Sequence, residues 1–139
     1  MEQIINLLQK ENCSCVIKNK EIRTFHRQGV IDLYELLKQE SKFLKDASVA
    51  DKVVGKAAAA LMTLGCIKEL YTYTISDLAY DILRDADITV KYERKVPVIL
   101  NRTQQDWCPL EKLCYDETSP ERILQIIEHF INGLNTNKK

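Results

Sequence analysis

The residues from Val53 to Met62, Val-Val-Gly-Lys-Ala-Ala-Ala-Ala-Leu-Met, constrain the fold more than any other stretch of this chain. Alanine is the strongest helix former, and a helix with small side chains all round is useful where its backbone must lie close to its neighbours. Just upstream, Ser48-Val-Ala-Asp51 has the form of a capping box, so the helix is expected to start there and to close at Gly65 as its C-cap. Close packing on a sheet then accounts for Gly55, which costs about 1 kcal/mol in an ordinary helix interior. A helix of this kind implies an α/β arrangement.

The flanking sequence supplies the sheet. Residues 3 to 10 carry Ile4, Ile5, Leu7 and Leu8 at the spacing of a short amphipathic helix. Cys13 to Lys18 and Glu21 to His26 read as a β-hairpin turning at Asn19-Lys20. After Gly29, the apolar residues Val30, Ile31, Leu33, Tyr34, Leu36 and Leu37 predict a helix. Residues 66 to 73 predict a strand that begins at a buried Cys66, 76 to 86 a helix, and Ile88 to Tyr92 a second strand; together they form one parallel crossover unit. Val96 to Leu100 is a further apolar run, joined by a connection too short for a crossover helix and so expected to be antiparallel. Asn101 to Tyr115 reads as irregular, and Ser119-Pro120-Glu121 opens a last amphipathic helix that frays after Gly133. The expectation is a mixed sheet of about five strands flanked by helices.

At 139 residues the chain suits one domain, 1–139, with its core over about 13–131. Lysine plus arginine (20) equals aspartate plus glutamate (20), so no global field draws the protein to nucleic acid or an acidic membrane surface. The N-terminus has no basic segment followed by a long apolar run, and no stretch reaches the roughly 18 apolar residues of a membrane span. A cytoplasmic location is expected. Five cysteines without an export signal point to thiols, a metal site or redox chemistry rather than a disulfide framework. No cofactor motif is present.

A hairpin, a helix, parallel strands alternating with helices and an antiparallel neighbour is an order of elements that resembles the cytidine deaminase superfamily. Two motifs, Ser48-Val-Ala-Asp-Lys-Val-Val-Gly-Lys-Ala-Ala-Ala-Ala and Cys108-Pro-Leu-Glu-Lys-Leu-Cys114, resemble more closely those of a bacterial and archaeal family, domain of unknown function 1893. The likeness runs from about Cys13 to Phe130. It implies a three-layer deaminase-like fold and a pocket where two helix N-termini converge, without a settled activity.

A zinc deaminase needs three His or Cys ligands and a glutamate that shuttles protons between the metal-bound water and the base. Where the first helix should begin His/Cys-x-Glu, the chain has Asp51-Lys52-Val53, and a shift to Val54-Gly55-Lys56 does not restore the pattern. Where the second should begin Pro-Cys-x-x-Cys, it has Thr72-Tyr73-Thr74-Ile75-Ser76-Asp77. Cys108-Pro109 comes later in the chain, with five residues rather than two between Cys108 and Cys114, so no metal ligands are assigned.

Helix N-termini at the carboxyl ends of parallel strands favour an anion. The matching positions are Ser48, Asp51, Lys52, Lys56, Thr74 and Ser76, which would suit a small anionic or nucleotide-like ligand. Capping by itself also explains Ser48, Asp51, Thr74 and Ser76, and solvent contact explains the lysines. The candidate catalytic residues are Asp51, Cys108, Glu111 and Cys114. The two thiols are a nucleophile or redox centre in an atypical enzyme, or small buried hydrophobes plugging a sheet edge. The leading expectation is ligand binding without zinc deamination. An enzyme using Cys108 or Cys114 comes second and a protein-interaction scaffold third; a homodimer is compatible with all of them.

Overall fold

The computed structural model describes residues 1–27, 30–101 and 103–137, with side chains as far as Gly133. Helix α1 (Glu2–Lys10) buries Ile4 and Leu8, one turn apart, against Val16, Ala50 and Tyr71 on one face of the sheet. Strands β1 (Cys15–Lys18) and β2 (Ile22–Phe25) form the expected hairpin, with Cys15 opposite Phe25 and Lys18 opposite Ile22. Asn19 in its turn donates from Nδ2 to the carbonyls of Phe43 (2.8 Å) and Lys45 (2.9 Å), fastening the hairpin to the chain after helix α2 (Ile31–Gln39) and the short helix α3 (Ser41–Leu44). Gly29, read as the break before α2, lies outside the described residues.

The largest correction concerns Ser48. Residues Ser48–Val54 are strand β3, not the start of a helix. Val49 and Ala50 are both buried, on opposite faces, because β3 lies inside the sheet between β1 and β4 and is covered on both sides. The capping-box spacing there is coincidental: Ser48 Oγ donates to Glu69 Oε2 at 2.5 Å across the strand pair. Helix α4 (Lys56–Leu64) begins only after Gly55, which is its extended N-cap residue rather than a helix-interior glycine. All four alanines, Leu61 and Met62 are buried, as the small-residue run implies. Gly65 does follow the helix, but for a reason of space: a Cβ there would stand 2.8 Å from Leu44 Cδ1. The left-handed residue is Cys66 (φ 61°), which is exposed in the loop and not the buried start of a strand.

Strand β4 (Glu69–Ser76), helix α5 (Asp77–Asp85) and strand β5 (Thr89–Val96) follow, giving the sheet order β2-β1-β3-β4-β5 with β3, β4 and β5 parallel. The expected antiparallel strand over Val96 to Leu100 does not form. Pro97 removes a backbone donor and bends the chain out of the sheet, and beyond it only an isolated bridge joins Leu100 to Trp107. The sheet is still mixed and five-stranded, because β3 supplies the missing strand and the hairpin the antiparallel pairing. Within 101–115, read as irregular, Pro109–Leu113 forms helix α6. Helix α7 (Pro120–Asn137) continues past Gly133 instead of fraying there. Helices α2, α4, α5 and α7 pack on the face opposite α1, completing three layers.

Candidate functional site

The carboxyl end of β3 is where the sheet changes direction, because β3 has an antiparallel neighbour in β1 and a parallel one in β4. Ligands in open α/β sheets favour such places. A cavity of about 790 Å³ opens there, walled by the start of the hairpin, the end of β3, the first turn of α4 and the segments 99–101 and 108–111. Asp51, Lys52 and Lys56 all line it.

Asp51 stands directly opposite Cys15 in the β1–β3 ladder, which puts the two side chains on the same face. Burial raises the Asp51 carboxyl to about 7, against the opposing pull of the Val53 and Lys52 amides and the Cys15 thiol, all of which favour its ionised form. Burial likewise pushes the Cys15 thiol well above its ordinary value, helped by the charge of Asp51. The thiol therefore stays protonated and donates to Asp51. Near neutrality this carboxyl exists in both forms, so it can accept a hydrogen bond or donate one.

Glu111 has a different role from Asp51. Its side chain is buried (2% exposed), with Oε1 accepting the Lys56 amide at 2.7 Å and Oε2 accepting the Ile99 amide at 2.8 Å. A helix N-terminus attracts an anion, and in α4 the chain's own carboxylate is that anion. The expectation that this terminus receives an external anion is corrected accordingly. Lys56, equally buried (4% exposed), extends its ammonium to the Tyr115 carbonyl at 2.8 Å. Glu111 and Lys56 together tie the 99–115 segment to α4. Gly55 makes room for this, since a Cβ there would sit 3.2 Å from Glu111 Oε1.

The two thiols of the Cys108 motif separate. Cys114 is fully buried, and desolvation pushes its thiol up to about 11, which leaves it without thiolate at neutral pH. Cys108 is half-buried, precedes α6 and lines the cavity. Three residues predicted for the site lie elsewhere. Ser48 is at the opposite end of β3. Ser76 caps α5, its Oγ accepting the Ala79 amide at 3.2 Å. Thr74 is half-buried on β4, away from the cavity lining, and its carbonyl accepts the Thr72 hydroxyl at 3.1 Å. The partner that sequence reasoning missed is Cys15; only the cross-strand register pairs it with Asp51.

The chain does not fit a deaminase zinc. The starts of α4 (Gly55-Lys56-Ala57) and α5 (Ser76-Asp77-Leu78) contain no His or Cys. Among the described residues no three His, Cys, Asp or Glu side chains converge as metal ligands would.

A five-stranded mixed sheet with α1 on one face and α2, α4, α5 and α7 on the other, and a carboxyl–thiol pair at the sheet's change of direction, define the class: a three-layer α/β protein with a cavity at the end of its central strand. The chain belongs to the family described as Domain of unknown function (DUF1893), whose match spans residues 3–131. It is similar to the crystal structure of a DUF1893 family protein from Thermotoga maritima, at 24% identity and a TM-score of 0.84 over 92% of this chain and 87% of that one. This likeness shows a shared fold. Acinetobacter baumannii RibD matches at 16% identity and a TM-score of 0.43, over 66% of this chain and 33% of that one. No curated protein matches the chain.

Proposed function

We propose that the cavity at the end of β3 binds a small nucleotide-like molecule through the Asp51 carboxyl, and that the chain does so without zinc-dependent deamination. The observation that carries this reading is the pairing of Asp51 with Cys15 inside the cavity, where the carboxyl is raised to about 7. A carboxyl in that state complements the adjacent donor and acceptor of a heterocyclic edge. The apolar part of the wall, with Ile17, Phe25, Leu33 and Phe130, suits the body of a flat ring. Lys52 also lines the cavity, a cation whose pull on a phosphate is opposed there by the carboxylates of Asp51 and Glu111. The order of elements supports placing the fold in the deaminase-like superfamily, with the catalytic metal ligands absent.

Thermal-shift and calorimetric titrations with nucleobases, nucleosides and nucleotides test the reading. A ligand at a hundred times its Kd stabilises by about 2.7 kcal/mol, which for a chain of this size raises Tm by roughly 8–10 °C. Asp51→Asn is expected to weaken that response at least tenfold in Kd, on the order of a lost charged hydrogen bond. No saturable shift with any of these compounds, or unchanged binding by Asp51→Asn, removes the proposal.

A second reading is an enzyme with Cys108 as nucleophile and Asp51 as proton acceptor, favoured by their sharing one cavity. Alkylation of Cys108 no faster than a free thiol at neutral pH would leave it without support.

A further inference from the structure

Strand β5 ends the sheet: β4 pairs along one side of it, and among the described residues no strand pairs along the other. Eight residues long, it is twice the length of β2 at the opposite edge, and all of Lys91 to Lys95 is exposed. A long, exposed strand edge is a template for another strand unless its charges repel the newcomer. Here the charges select a partner. Lys91 and Glu93 flank Tyr92, which is 39% exposed with its ring edge-on to Tyr80 at 5.8 Å. Tyr71 interacts through its hydroxyl with the Glu93 carboxylate, which holds that side chain on the face covered by α1.

We infer that β5 pairs antiparallel with β5 of a second copy of this chain, across a twofold axis through Tyr92, joining two sheets into one. A twofold axis perpendicular to a sheet keeps each side chain on its own face, so paired residues must have the same parity and the axis must pass through a residue. Centring on Tyr92 sets Lys91 opposite the partner's Glu93 twice, with the two tyrosines facing each other between them. Moving the centre to Lys91 sets lysine against lysine. Moving it to Glu93 sets glutamate against glutamate and Lys91 against the partner's Lys95. Centring on Arg94 sets Glu93 opposite the partner's Lys95 but also arginine against arginine, so the Tyr92 register alone joins opposite charges with no like-charge pair, and opposite charges directly across a ladder stabilise where like charges oppose pairing.

Sedimentation velocity on the full chain tests this across micromolar concentrations, with circular dichroism as a check on folding. The wild type is expected to dimerise reversibly. Lys91→Glu or Glu93→Lys, each of which turns both cross-strand pairs into like-charge pairs, weakens association by about tenfold or more. The double exchange restores it, because the pairs are merely reversed. Tyr92→Asp, placing two carboxylates on the axis, gives an independent loss if a charge variant fails to fold. A wild type that stays monomeric near millimolar concentration, a dimer indifferent to these substitutions, or a double exchange no tighter than the single variants overturns the inference.

Discussion

Glu111→Gln separates a structural carboxylate from a catalytic one. In the native protein each carboxylate oxygen accepts a buried backbone amide, from Lys56 at 2.7 Å and from Ile99 at 2.8 Å. Hydrogen bonds to a charged acceptor are worth about 1.5–3 kcal/mol each. Glutamine keeps the volume and one acceptor but turns an NH2 toward the other amide, so one bond is lost and a donor faces a donor. The expected cost is about 2–3 kcal/mol, and about 3–6 kcal/mol for Glu111→Ala, which strands both amides. Urea denaturation reads this as a lower midpoint at constant m. A Gly55→Ala cycle adds a test of geometry. The new Cβ meets Glu111 Oε1 at 3.2 Å in the native protein, so Gly55→Ala should cost less in the Glu111→Ala background. A Glu111→Gln protein within about 0.5 kcal/mol of wild type would refute the role assigned to this carboxylate.

Asp51 has the opposite pH signature to a salt-bridged aspartate. Its folded value of about 7 lies above the ordinary 3.8, so the folded state holds more protons and stability is lost as pH rises through that window. Asp51→Asn should remove this slope and, at the alkaline end, exceed the wild type by on the order of 2–4 kcal/mol in urea midpoints followed against pH. Gly65→Ala should cost about 1–3 kcal/mol by the same assay, since its Cβ would press on Leu44 Cδ1 at 2.8 Å and on Leu44 Cβ at 2.9 Å. Among the five thiols, mass spectrometry after brief alkylation should find Cys66 modified first and Cys114 protected until unfolding; early labelling of Cys114 would contradict its burial.

Helices were legible where an apolar period ran long enough to exclude other readings. The α4 run, the α7 stripe and the Ser76 cap of α5 all emerge from sequence. The central strand β3 was not, because its cover on both faces removes the alternation that marks a strand and it runs directly into the α4 alanines, whereas β4 and β5 were read as strands near their observed places. Ser48–Val54 therefore borrowed the identity of the helix that follows it, and the error moved Ser48 from a strand's far end into the site. Val96 to Leu100 failed in reverse, with an apolar run mistaken for a strand despite Pro97. For the site, Asp51 and the importance of the 108–114 segment were visible in the residue types. The Cys15 partnership and the seat of Glu111 on α4 were not, since both depend on contacts between segments distant in sequence.

Where Glu111 sits also bears on what the cavity selects. With one carboxylate fixed at α4 and a second, Asp51, ionising near neutrality, the inner cavity offers a phosphate little attraction and, at high pH, repulsion. Unit charges roughly 6 Å apart interact by about 3 kcal/mol at an effective dielectric near 20, more than a tenfold effect on affinity. A nucleoside should therefore bind at least as tightly as its monophosphate at about pH 8, and the gap should narrow at about pH 6 as Asp51 takes up its proton. Asp51→Asn should hold the gap constant across that range while weakening both ligands. Calorimetric titration of the pair at both values decides the matter. A monophosphate bound tenfold tighter than its nucleoside at the higher pH would mean that a cation, not Asp51, governs the cavity.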